Sequence, residues 1–171
     1  MIAALTFAKK GMEDRQTPME DLGRRAQALK DWFLSAVDRD TDAFNQVLAA
    51  MRLPKATDEE AVVRDQALES ANQEATRVPL EVLERSVEAL ELVLVVARNG
   101  NPSAVTDAGV AGACALTAGE GAALKVRINL GSSTDAAWIH STESAAAELT
   151  ERCRALAIEV RETVESVLSA D

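Results

Sequence analysis

Asp107 stands shortly after Asn101-Pro102, at the head of a stretch, residues 100–130, in which Ala and Gly replace most bulky side chains. An acid in a first helical turn is favoured by the helix dipole, which is reason enough to find one there. The same carboxylate, beside space left by small neighbours, suits proton acceptance or the steadying of positive charge better than proton donation. Asn129 lies near the far end of the stretch, where the following Gly131 also makes it an ordinary helix-end residue. Lys55 follows Pro54 in a loop, the usual setting of a solvated lysine, and Asp42 follows Asp40 in what reads as a first helical turn.

Other chemistries find less support. Cys114 and Cys153 are too few and too far apart for a disulfide framework, and the lone His140 leaves no Cys/His zinc cluster, so no metal site is expected. Both thiols read as buried small hydrophobes, and His140 as a surface residue near a helix start. Trp32 and Trp138 fall on apolar stripes and read as core.

Helices must position these residues. The 171-residue chain is 47% hydrophobic but only 3% aromatic, with no Tyr. Burial therefore falls to Ala, Leu and Val packed on helices, and the length suits one domain, residues 1–171. A net charge of −10 argues against nucleic acid and anionic membranes, which require clustered cations. No apolar run is both long and uninterrupted enough to span a bilayer. In the apolar residues 1–8, Lys9 and Lys10 follow the run where a secretory signal would have them first. A cytoplasmic, reducing location is expected.

Pro18, Pro54, Pro79 and Pro102 mark changes in the apolar pattern. Thr17-Pro18-Met19-Glu20 opens an amphipathic helix that runs to about residue 37. Residues 38–41 interrupt it, and a shorter helix carries Phe44, Val47, Leu48 and Met51 to the stop at Leu53-Pro54. Thr57 and Glu60 form a capping box for a helix over 58–77, and Pro79 is expected to break it from the next. Leu80, Leu83, Val87, Leu90, Leu94 and Ala97 then form the stripe of a central helix ending at Asn99-Gly100. The last helix, about 134–169, has a near-heptad seam and should lie along a long antiparallel partner. The fold expected is all-α, an up-and-down bundle with a long C-terminal helix, self-associating through helix packing.

Glycine inside a helix costs about 1 kcal/mol relative to alanine. The several glycines of residues 104–123 therefore require compensation, either close helix approach or an occupant of the space, which is a flat ligand or a second subunit's helix.

The string Gly100-Asn101-Pro102-Ser103-Ala104-Val105-Thr106-Asp107-Ala108-Gly109-Val110, followed by Val126-Arg127-Ile128-Asn129-Leu130, resembles the cyclodeaminase/cyclohydrolase family. That family includes the C-terminal domain of formiminotransferase-cyclodeaminase and stand-alone bacterial methenyltetrahydrofolate cyclohydrolases. Leu5-Thr6 with Lys9-Lys10, Asp42-Ala43-Phe44, Leu53-Pro54-Lys55 and Val78-Pro79-Leu80 extend the match, in order, along essentially the whole chain. In the family, a helix with a Pro-Gly-Gly-Gly-Ser motif precedes the part matched here, so an N-terminally shortened form is expected. Lys125 stands where relatives have Asn, which alters ligand contacts or places a cation near a glutamate tail.

The resemblance implies a dimer with a folate site at or near its interface. It implies cyclisation of 5-formimidoyltetrahydrofolate to 5,10-methenyltetrahydrofolate with loss of ammonia, or hydrolysis of the methenyl bridge to 10-formyltetrahydrofolate. On that reading Asp107 is the acid-base residue, Asn101 and Asn129 orient the pterin amide or the reacting nitrogen, and Lys55, Lys9 and Lys10 attract the anionic tail. Asp42 and Lys125 complete the binding set. The reduced folate is the substrate, with no tightly bound cofactor, and the partner expected is a second copy of the chain.

Overall fold

The computed structural model describes residues 2–7, 11 and 16–170. Lys9 and Lys10 lie outside the described residues. The elements are α1 (Ile2–Phe7), α2 (Gln16–Met51), α3 (Asp58–Asn99), a 3-10 turn (Pro102–Ala104), α4 (Val105–Leu130) and α5 (Ala136–Leu168), with no strand among the described residues.

Helix α2 runs 36 residues without the interruption expected at 38–41. Leu22, Leu29, Ala36, Ala43 and Ala50 are all buried, one every heptad, so a single seam passes through the polar stretch. The polar residues there find partners outside the seam: Arg39 pairs with Glu81 at 2.7 Å, and Asp40 with Lys125 at 2.8 Å. Helix α3 begins at the Thr57–Glu60 capping box and ends with the Gly100 N–H donating to the Val96 carbonyl.

Pro79 does not break α3, which continues for 42 residues. A helical proline leaves the carbonyl four residues earlier without its N–H partner. That carbonyl belongs to Ala75, and the Asn129 side-chain amide donates to it at 2.8 Å. The helix survives because a neighbouring helix supplies the missing donor.

The ion pair Arg25–Glu88 and the pair Arg39–Glu81 set α2 antiparallel to α3. A Cβ on Gly112 would meet Val93, and one on Gly119 would meet Leu83 and Ser86, which sets α4 antiparallel to α3. Gly109 faces Val164 and Gly119 faces Cys153, so α5 returns antiparallel to α4. The bundle is therefore up-and-down from α2 to α5, and α2 and α4 run in the same direction. Its main core joins Leu83, Leu90, Ala108, Val126, Cys153 and Val160 across α3, α4 and α5. A smaller core of Leu22, Leu29, Leu92 and Val96 fixes α2 to α3. No helix among the described residues is long and apolar enough to cross a membrane.

Candidate active site

Between the N-terminal halves of α2 and α4 lies a groove of about 860 Å³, lined also by Ala3 and Ala4 of α1. Leu92, Val93 and Val96 of α3 form its floor, and Asp107, Ala108 and Ala111 form the α4 wall. The α2 wall carries Glu20, Gly23, Arg24, Gln27 and Lys30, a face built by helical three- and four-residue spacing. Ala108, Ala111 and Gly23 keep the walls short of side chains, which leaves room for a ligand. The volume lies in the range of small-molecule sites.

Asp107 is in the first turn of α4 and is half-buried on the groove wall. On the opposite wall, Arg24 reaches Asp21 at 3.3 Å and Lys30 reaches Asp31 at 3.0 Å. Such exposed pairs are worth little, so either cation is readily redirected to an anionic ligand. An apolar floor, an acid on one wall and cations on the other suit an elongated, flat molecule that has a basic or cationic centre and an anionic end.

Among the described residues, none of the other expected ones lines the groove beside Asp107. Asn101 is near it in sequence but works as a tie. Its Oδ1 accepts from the Ser103 N–H at 3.1 Å, and its own N–H donates to Thr6 at 3.0 Å, which fastens α1 over the start of α4. Asn129 is at the opposite end of α4, on the order of 30 Å away at 1.5 Å per residue, bonded to α3. Lys125 is exposed, pairs with Asp40 and does not line the groove. Lys55 and Asp42 are exposed, Lys55 in the loop after α2 and Asp42 on its outer surface, and neither lines the groove.

Glu20, Arg24, Gln27 and Lys30 were not singled out from sequence. Their signal was a polar stripe containing Gly23 on a helix otherwise patterned for burial, which by itself reads as a solvated face.

Cys153 is buried, and burial raises its thiol pKa above the ordinary value, with Glu120 adding to the rise, so it is a packing residue and not a nucleophile. Cys114, expected to be buried, is exposed on the outer face of α4. His140 is exposed, as expected. Trp138 packs on the main core, whereas Trp32 is half-exposed, edge-on to Phe33 and flanked by Arg39 and Arg85. No cluster of His, Cys, Asp and Glu able to hold a metal occurs among the described residues.

A second polar cluster joins α3 to the α4–α5 loop. Glu69 accepts from the Ser133 hydroxyl, from the Thr134 N–H at 2.8 Å, and from Gln73 at 2.9 Å. These bonds, Ser133 first, bring its carboxyl from 4.5 down to about 2 against the opposing effect of burial. Three bonds, from the Ser133 hydroxyl and from the N–H and hydroxyl of Thr134, hold the loop, which makes Glu69 a latch.

The crystal structure of formiminotetrahydrofolate cyclodeaminase from Thermotoga maritima superposes with a TM-score of 0.86 at 21% identity, over 98% of this chain and 80% of that one. Methenyltetrahydrofolate cyclohydrolase of Methylorubrum extorquens is 31% identical over 97% of this chain and 80% of its own length. Formimidoyltransferase-cyclodeaminase of Rattus norvegicus is 29% identical over 97% of this chain, which spans 31% of that larger protein. The family model described as Formiminotransferase-cyclodeaminase matches residues 1–148. With a match over most of its length and the same helical bundle, the chain belongs to the formiminotransferase-cyclodeaminase family.

Proposed function

We propose that the groove binds a reduced folate and that the protein cyclises 5-formimidoyltetrahydrofolate to 5,10-methenyltetrahydrofolate, releasing ammonia. The observation that carries this reading is the Asp107 carboxylate on the wall of a ligand-sized, largely apolar groove in a chain of this family. N10 attacks the carbon of the protonated formimidoyl group and forms the second C–N bond, and Asp107 takes the N10 proton. The exocyclic C–N bond then breaks, and the same carboxyl returns the proton to the departing nitrogen, which leaves as ammonia. The methenyl product is a cation, and an adjacent carboxylate stabilises it in a groove of low polarity. The folate is the substrate, and no tightly bound cofactor is required.

The Methylorubrum relative's name favours a second reading, hydrolysis of the methenyl bridge. Water then replaces N10 as the nucleophile at the same carbon, Asp107 takes its proton, and the C–N5 bond opens to give 10-formyltetrahydrofolate. Near-ultraviolet absorbance of the methenyl bridge distinguishes the two. It rises when the protein is given the formimidoyl compound if the protein is a cyclodeaminase, and falls faster than in buffer from the methenyl compound if it is a cyclohydrolase. Turnover of neither compound removes both readings.

The same reading includes a homodimer acting in the cytoplasm. The outward face of α4 carries Val110, Leu124 and Ile128, exposed by 65%, 63% and 75%, with Thr117 and Gly121 between them. Leu34, Val37 and Phe44 of α2 are also exposed, and the Asp40–Lys125 pair sets that helix beside α4. An apolar strip of this length is the kind of surface a second copy covers. Sedimentation velocity should give a dimer in which the exposed Cys114 is slow to react with a thiol reagent. A monomer with a fast-reacting Cys114 removes this part of the proposal.

A further inference from the structure

The groove has a direction. Helices α2 and α4 run parallel, and the Asp40–Lys125 pair fixes their register. Stepping back equally along both helices from that pair brings Asp107 level with Leu22. Lys30 then stands about 12 Å farther along the groove, at 1.5 Å per residue. Glu20 lies at the Asp107 end, and Arg24, Gln27 and Lys30 follow in order on the α2 wall.

We infer that Lys30, with Gln27 about one turn and Arg24 nearly two turns before it on the same wall, holds the glutamate tail of the folate and so fixes which way round the substrate lies. This rests on the folate reading above. The reacting end of such a substrate is positive, as a protonated formimidoyl group or a methenyl bridge, and its other end is a glutamate carboxylate. The aminobenzoyl spacer between them is about as long as three extended residues, on the order of 10 Å. One orientation sets the positive carbon beside Asp107 and the carboxylates beside Lys30. The reverse sets the carboxylates against Asp107 and Glu20, where like charges repel in a groove with an apolar floor. The chain carries a net charge of −10, so an anionic tail needs a local cation to hold it there.

The test compares two substrates on wild type and on Lys30→Gln: the folate itself, and the corresponding pteroate, which lacks the glutamate. Lys30 is exposed and paired only with the adjacent Asp31 in the ion pairs described, so its replacement does not threaten the fold. The expected result is a five- to tenfold rise in KM for the folate, carried on KM and not on kcat, with no rise for the pteroate. Arg24→Gln should show the same selectivity at smaller size, and Lys30→Arg should restore the wild-type KM. An unchanged KM, or equal rises for both substrates, overturns the tail anchor while leaving the folate function standing. If wild type turns over neither substrate, the folate function falls and the anchor falls with it.

Discussion

At its N-terminal end, α4 presents Asp107 to a groove walled by Ala108, Ala111 and, from α2, Gly23. At its C-terminal end, Asn129 is bonded to the Ala75 carbonyl that Pro79 leaves without a donor, and Glu69 latches the following loop. Both ends carry a polar side chain of a kind suited to holding a ligand, although only the first is rich in small residues. They differ in what the surrounding backbone requires. Where no hydrogen bond or ion pair among the described residues takes up the carboxylate, as at Asp107 in the first turn of α4, the side chain is left for a substrate. Where a proline has removed a donor, the nearest amide is taken up by the fold.

The largest expected effect is at the open end. Asp107→Asn keeps the shape of the side chain but removes its proton acceptance, and turnover should fall by about 10²–10⁴-fold. The circular dichroism spectrum should be unchanged, and stability should stay within about 0.5 kcal/mol, as for surface substitutions generally. A variant that keeps its kcat would move the chemistry away from this end of α4.

The closed end should respond in the opposite way. Asn129→Ala leaves the Ala75 carbonyl without its donor, at a cost of about 1–3 kcal/mol in denaturant unfolding, with KM for folate unaltered. Pro79→Ala returns an N–H to that carbonyl, so in the double variant the loss at position 129 should largely disappear. A double-mutant cycle with no coupling between 79 and 129 would show that the amide braces something else.

The sequence made much of this legible, and its failures have physical causes. The Thr57–Glu60 box, the Asn99-Gly100 stop and the long final helix depend on local signals, and each stands where local chemistry puts it. The breaks expected at 38–41 and Pro79 are absent because partners distant in sequence override the local signal. Ala36 and Ala43 continue a seam that looks weak residue by residue, and Asn129 supplies a donor from 54 residues away. The family strings pointed to Asp107, which lines the groove, but also to Asn101 and Asn129, whose amides serve the backbone. Spacing along a chain does not reveal whether a matched residue is there for the ligand or for the fold. The α2 wall was missed for the converse reason: a polar stripe on a helix looks the same whether it faces water or a groove.

Two glycines carry the comparison from the ends of α4 to its two sides. A Cβ on Gly119 would stand 2.7 Å from the Cys153 sulfur and 3.3 Å from the Ser86 Cβ, whereas one on Gly121 would meet nothing within 4 Å. Gly119→Ala should therefore destabilise, since overpacking at about 1–3 kcal/mol outweighs the gain in helix propensity. Gly121→Ala should stabilise by up to about 1 kcal/mol, because only the propensity term acts. Denaturant midpoints check both. Equal losses would mean that a second helix covers Gly121 as tightly as Cys153 covers Gly119, which would favour a close-packed dimer across this face.

The smallest effect belongs to the latch at the closed end. The Glu69 carboxyl lies at about 2 in the folded protein against an ordinary 4.5, held there first by the Ser133 hydroxyl and then by the Thr134 N–H. Because the folded value is the lower one, the contribution to stability is complete above about 4.5 and is lost as the pH falls towards 2. Glu69→Gln has no such titration. The stability difference between wild type and this variant should be constant from pH 7 to pH 5 and should shrink between pH 4.5 and pH 2.5. Glu69 is only half-buried, so solvent screening keeps the change small, and many other carboxylates titrate over the same range. The difference between the two proteins, and not the acid sensitivity of either alone, is therefore the quantity to follow. A difference that stays constant down to pH 2.5 would show that the loop holds its place without the charge, and that hydrogen bonding to a neutral amide closes this end of α4 equally well.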